Sequence, residues 1–307
     1  MTSIVFPGQG SQFVGMAKDF NDNFTLARTI FEEIEDYTNI NIRNIIFENV
    51  KKRLDLTKFT QICIFASSYV IFRIYMNEKN LNFVDTNIML GHSLGEYTAL
   101  ACSNRVSLKE ISIILKLRGE LMNSAVPPNE TSMAALIGKN SAFVNEIIKN
   151  NDLDIEVAND NSPIQVVISG NKNELKRSRD IFLKKNIKRF VDLNVSAAFH
   201  SKYMLKAQDE LSLEIEKLKF NKNNIKIISN YDANIHSDNI SIKKNLQNQM
   251  ANQVKWTQSI KKLEEIGEKY IIEIGPNKVL SGLINRISKN FEITSINTIS
   301  DLKNESN

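Results

Sequence analysis

Gly91-His92-Ser93-Leu94-Gly95 fits G-x-S-x-G, and it stands between the apolar run "NIML" and the helix-like "GEYTALACS". A sharp strand-to-helix turn needs small residues on both sides of the serine, and it lifts the hydroxyl clear of the sheet edge. Ser93 is therefore a candidate nucleophile. The N–H of Leu94, at the helix start, is a candidate oxyanion donor where the helix dipole also helps. A plain Gly/Ser turn fits the same five residues. A nucleophilic serine needs a base, and the chain offers His92, His200 and His236. His92 adjoins the nucleophile, so on an extended entry its side chain points elsewhere, as a packed or hydrogen-bonded support. His236 lies in the polar "NYDANIHSDN", a setting for a solvent-exposed histidine. His200 follows the strand-like "KRFVDLNV" at a loop end, where clefts form. A structural histidine is the alternative there.

No acid stands out to orient His200, and Asp192, within the preceding strand, is poorly placed for it. The absence bears on the substrate. Attack on an amide needs strong general-base help, whereas a thioester expels a thiolate whose conjugate acid has a pKa near ~8.5. A Ser–His pair held by a backbone or amide carbonyl suffices for that chemistry.

The elements around these residues read as α/β. "SIVF" (3–6) and "NIMLG" (87–91) are short buried strands, with helical patterns between them. "SLKEISIILKLRGELMNSA" starts at a Ser107 N-cap with Glu110 at the capping-box spacing, and Pro127-Pro128 ends it. Residues 132–195 then run strand, helix, two strands separated by "DNSP", a charged helix (173–185), and the strand "KRFVDLNV" (188–195). That β-α-β-β-α-β order is the signature of a ferredoxin-like subdomain. The expected organisation is a large body over 1–127 and 197–307, with an inserted subdomain over 128–196. In the body we expect the strands "IKIISN" (225–230) and "YIIEIG" (270–275), a helix ending near Trp256, and a frayed "DLKNESN" tail.

Bulk properties exclude several classes. Of 307 residues, 42% are hydrophobic and 24% charged, ordinary values for a globular enzyme-sized chain. A net charge of +4, with Lys and Glu interspersed, argues against a nucleic-acid binder. Two isolated cysteines, Cys63 and Cys102, read as buried reduced thiols in a cytoplasmic protein, and with three scattered histidines they form no metal-ligand cluster. "MTSIVFPGQG" lacks the pattern of a signal peptide. The most apolar window, "ICIFASSYVIFRIYM", reads as too short to span a bilayer.

"VFPGQGSQFVGM", "GHSLGEYTAL", "LKLRG", "AFHS", "QVKW" and "EIGPNKVLSGL" occur here in one order, to about residue 290. In this the chain resembles malonyl-CoA:acyl-carrier-protein transacylases and the acyltransferase domains of fatty-acid and polyketide synthases. The resemblance implies an α/β fold with a hydrolase-like three-layer body, a parallel sheet core and the inserted subdomain. It implies that Ser93 is acylated, that His200 is the base, and that the N–H groups of Leu94 and Gln9 form the oxyanion hole. Gln249 matches the glutamine whose main-chain carbonyl orients the histidine. Arg118 matches the arginine that pairs with the free malonate carboxylate, as a planar guanidinium on an apolar helix face can, although a structural ion pair fits too. Phe199 matches a position that limits room beside the acyl α-carbon.

Malonyl-CoA and an acidic, phosphopantetheinylated acyl carrier protein are the implied partners. No bound cofactor or metal, no nucleic acid and no membrane are expected, and the chain is expected to be a monomer. The sequence departs from the family at Ile62, often proline, and at Asn252-Gln253, often Asn-Pro. The basic run "LKKNIKRF" (183–190) offers a surface for the carrier or, equally, a solvated helix end. Two other readings stay open: a thioester hydrolase that edits carrier proteins on the same fold, and a binding subunit that retained it.

Overall fold

A computed structural model describes residues 2–79 and 86–304. Two sheets organise it. The larger takes β1 (Thr2–Phe6), β2 (Thr86–Gly91) and β7 (Lys226–Ile228) at its centre. With β8 (Ile235–His236), β9 (Tyr270–Ile274) and β10 (Glu292–Ile296) its order is β10-β9-β1-β2-β7-β8. Five strands run parallel, and the two-residue β8 pairs antiparallel with β7. The sheet is therefore mixed, and neither β8 nor β10 is among the strands expected from the pattern. Central strands read as continuous apolar runs because both faces are covered. In β1, Ile4 and Phe6 pack into one core and Val5 into the other.

The smaller sheet contains β3 (Thr131–Ile137), β4 (Ile155–Ser162), β5 (Gln165–Asn171) and β6 (Arg189–Asp192), ordered β4-β5-β3-β6 and wholly antiparallel. Two of its strands differ from the sequence reading. β4 continues past Asn159 through Asp160, Asn161 and Ser162, which pattern alone assigned to a loop. Those residues meet the body: the Asp160 N–H donates to the Val254 carbonyl and the Val254 N–H to that of Ala158. The Asp160 carboxylate accepts from Thr257 and Gln258. β6 stops at Asp192, four residues into "RFVDLNV", because Leu193 and Val195 leave the sheet to line a cleft.

Three further expectations are corrected. The helix expected to end near Trp256 is Asn239–Gln247, and Trp256 instead opens the helix Trp256–Glu265. The tail is not frayed up to Asn304: Ile299–Asn304 is helical, with the Asp301 carboxylate accepting the N–H groups of Asn297 and Thr298. The apolar window is part of a helix, Thr57–Glu78, of 22 residues. That is long enough and apolar enough to cross a bilayer, so length does not argue against it; the helix lies in the core, with 83% of its most apolar window buried. The capping box is as expected, with Ser107 Oγ accepting from the Glu110 N–H and donating to Glu110 Oε2 at 2.6 Å.

Candidate active site

Ser93 stands between β2 and the helix Leu94–Cys102 at φ 52° and ψ −106°. A non-glycine residue there costs on the order of 1–3 kcal/mol, so its surroundings must hold it. Two glycines let the turn close: a Cβ on Gly91 would lie 2.1 Å from the Gly95 carbonyl carbon, and one on Gly95 2.1 Å from the Phe6 carbonyl oxygen. Asn230, just past β7, clamps both ends. Its Oδ1 accepts the Ser93 N–H at 2.6 Å and its Nδ2 donates to the Gly91 carbonyl at 2.7 Å.

His200 lies in the loop after β6, at φ 56°, and its Nε2 is 2.8 Å from Ser93 Oγ. Its Nδ1 is 3.1 Å from the main-chain carbonyls of both Gln249 and Asn252. Carbonyls only accept, so Nδ1 carries the proton and Nε2 is free to take one from the serine. No carboxylate among the described residues touches this imidazole. Burial, then the charges of Arg118 and His92, pull its pKa down to about 3. The other histidines lie elsewhere. His92 Nε2 meets Asn161 Oδ1 at 2.8 Å, and its ring packs 5.6 Å from that of Trp256. His236, expected to be solvent-exposed, is half-buried, with Nε2 2.9 Å from Asp232, because the β7–β8 turn folds back on it.

Arg118 reaches the same oxygen from the helix Leu108–Ser124. Its Nη2 donates to Ser93 Oγ at 2.9 Å and to Gln249 Oε1 at 3.0 Å, while Nη1 donates to Gln61 Oε1 at 2.5 Å. Arg118 is 1% exposed; its guanidinium lies 5.2 Å from the Tyr97 ring, and its Nε has no hydrogen-bond partner among the described residues. No carboxylate among the described residues lies within ion-pair distance. Neutral amide oxygens orient this cation without neutralising it, which leaves a site for an anion beside Ser93.

Gln9, Leu94, Phe199 and Met122 line a narrow cleft at Ser93, between the two sheets. It shares Gln9, His92 and Asn159 with a wider outer cleft. The other motifs build its walls. Val254 of "QVKW" bridges to β4, and Lys255 donates its N–H to the Asn230 carbonyl. In "EIGPNKVLSGL", buried Glu273 accepts the N–H groups of Leu280 and Ser281 and so caps the helix Val279–Ile287. Asn277 donates to the Ser11 carbonyl and ties that segment to the loop carrying Gln9.

A family model for the acyl transferase domain matches residues 4–306. The chain belongs to the acyl transferase family. The malonyl CoA-acyl carrier protein transacylase of Bacillus subtilis is 31% identical over 297 residues, 96% of this chain and 92% of that one. A crystal structure of an acyl carrier protein S-malonyltransferase from Vibrio cholerae superposes with a TM-score of 0.93 at 33% identity, covering 99% of both chains. A structure of a type II PKS acyl carrier protein in complex with its malonyl-transacylase gives 0.94 at 32%, covering 100% of this chain and 99% of that one.

Of the seven residues given a role from the sequence, six line this cleft and the seventh, Gln249, is buried behind it, bonded to Ser93, His200 and Arg118. Four others were missed: Gln61, Glu96, Asn230 and Asn252. Gln61 and Glu96 did carry a signal, since each is a polar residue within an apolar helix. Asn252 acts through its carbonyl, which leaves no trace in residue type.

Proposed function

We propose that this acyltransferase moves a malonyl group from malonyl-CoA to the phosphopantetheine thiol of an acyl carrier protein, through an ester on Ser93. The observation that carries the reading is the buried, amide-held Arg118, 2.9 Å from a serine that also meets a histidine at 2.8 Å. His200 takes the Ser93 proton as Oγ attacks the thioester carbonyl, and the oxyanion turns to the Leu94 and Gln9 N–H groups. Collapse expels CoA as a thiolate, which His200 protonates. The carrier thiol then repeats the steps in reverse. Each half exchanges one acyl bond for another, so the chemistry balances without a bound cofactor or metal; the CoA thioester is substrate. In the resting site Arg118 depresses the basicity of His200. A malonate carboxylate on the guanidinium offsets that charge and makes the imidazole a better base, so donor recognition assists the chemistry. Phe199, 5% exposed, forms a wall beside the acyl group.

The strand order β4-β5-β3-β6, with helices Ser141–Asn150 and Lys172–Lys184 in the crossovers, supports a ferredoxin-like insertion over about 128–196. Helices flanking a largely parallel sheet with a nucleophile at a strand end support a hydrolase-like body. The two buried free thiols, Cys63 and Cys102, fit a cytoplasmic setting.

Incubation with malonyl-CoA and a holo carrier protein is expected to show double-displacement kinetics, with label passing to the carrier thiol. Release of malonate to water at a rate indifferent to the carrier would instead favour the hydrolase. Two further results are expected. A Cβ on Gly8 would fall 2.4 Å from the His92 carbonyl oxygen, so Gly8→Ala must push the Gln9 loop outward. Loss of one oxyanion donor lowers kcat by about 100-fold or more, with KM little changed in steady-state assays. Because kcat/KM reports the free enzyme and the base is the neutral imidazole, its acid limb should follow the depressed pKa. With malonyl-CoA the profile should stay flat from about pH 5 to 8; a limb near ~6.5, the ordinary histidine value, would contradict the assigned environment.

A further inference from the structure

Gln249 is tied to the base by its backbone, yet its side chain points the other way. Nε2 donates to the Ser93 carbonyl at 2.9 Å and to Glu96 Oε2 at 2.8 Å, while Oε1 accepts from Arg118 Nη2 at 3.0 Å. Amide orientation follows from partner chemistry. The Ser93 carbonyl can only accept, and Glu96 Oε2 is already an acceptor for the Asn230 N–H at 3.0 Å. The amide nitrogen must therefore face Glu96 and Ser93, which leaves the amide oxygen for Arg118. Glu96 itself is fully buried one turn past the nucleophile, and its Oε1 has no hydrogen-bond partner among the described residues. A carboxylate in that setting lowers stability, a cost that proteins tolerate mainly at functional sites.

We infer that Glu96 and the Gln249 side chain are positioning residues that hold the Arg118 guanidinium toward the acyl group on Ser93, and so set selectivity for donors bearing a free carboxylate. Glu96 acts on the amide, the amide on the arginine, and only the arginine meets substrate. Gln249 thereby joins two otherwise separate tasks, orienting the base through its carbonyl and the arginine through its side chain. Without Glu96 the amide can flip and present N–H groups to a cation. Arg118 then loses one of its two amide anchors and swings away from the nucleophile. A donor without a carboxylate, such as acetyl-CoA, does not depend on that anchor.

The inference rests on the malonyl-transfer reading, so the wild type is examined first by intact-protein mass after malonyl-CoA; no malonyl adduct there sinks the reading itself. Given the adduct, kcat and KM are measured with malonyl-CoA and acetyl-CoA for Gln249→Met, Glu96→Met and Glu96→Gln. Each methionine variant keeps the backbone carbonyl at 249 and a similar volume. Each is expected to lower the malonyl-to-acetyl ratio of kcat/KM about tenfold, mainly through malonyl KM, the scale of one hydrogen bond to a charged group. Glu96→Gln, which retains an acceptor oxygen for both N–H groups, should recover the ratio to within about threefold of wild type. Equal losses with both donors, or an unchanged ratio in either methionine variant, would overturn the inference while leaving the function intact.

Discussion

Ser93→Ala is expected to stay folded, to form no malonyl adduct, and to lose carrier malonylation by about 10⁵-fold or more, the scale seen when a serine nucleophile is removed from an otherwise intact site. The fold should tolerate the change. Alanine meets the same strain at φ 52° as serine, and the Asn230 clamp holds the backbone, not the hydroxyl. What disappears is the oxygen that both His200 and Arg118 address. The covalent route then closes, and direct attack by a carrier thiol would have to reach the thioester with no intermediate to split the barrier. Intact-protein mass spectrometry and a carrier-loading assay read the two halves separately. An adduct of undiminished yield on the alanine variant would place the nucleophile elsewhere. Cys63 and Cys102 are poor substitutes, since both are buried and burial pushes both thiol pKa values well above their ordinary range.

Arg118→Met is expected to reverse donor preference. The methionine occupies similar space in the apolar wall beside Met122 and Tyr97 but offers no cation. Truncating one member of a buried charged pair costs about 2–5 kcal/mol, or roughly 30- to 4,000-fold, in kcat/KM for the malonyl donor. Acetyl-CoA, which loses no ion pair, should fall far less or improve, because removing the guanidinium also relieves its depression of His200 basicity. The acid limb of the acetyl profile should therefore move up in pH. Competition between the two CoA esters, read as the mass of the acyl group on Ser93, measures the switch. A variant that still prefers malonyl would remove Arg118 from carboxylate recognition.

Much of this site was legible from residue type and spacing, for physical reasons that differ by residue. The Ser93 turn was readable because close approach leaves room only for glycine at 91 and 95, and apolar runs on either side announce the strand and helix. Arg118 was readable because a cation on an apolar face needs an anion. His200 emerged once His92 and His236 had been set aside. The boundaries were less legible. β4 runs on through three polar residues because their partners, Val254, Thr257 and Gln258, lie about a hundred residues away in the chain. The long apolar helix was misjudged as short, since serines and an arginine interrupt the run in sequence without interrupting the helix.

The sequence by itself determined the Ser93 turn, the Ser107 cap, the α/β order and the family, because each depends on local sterics, on periodicity or on motifs kept in order. The resemblance pointed to the Gln249 carbonyl, and only the tertiary structure added the second one, that of Asn252, at the same nitrogen. A carbonyl is common to every residue, so nothing in residue type says that those of 249 and 252 face His200 Nδ1. Packing of the loop after Asn239–Gln247 against the loop after β6 settles it. The same holds for Arg118: its charge is visible in the sequence, but that its N–H groups donate to two amide oxygens and a serine hydroxyl follows from where Gln61, Gln249 and Ser93 converge.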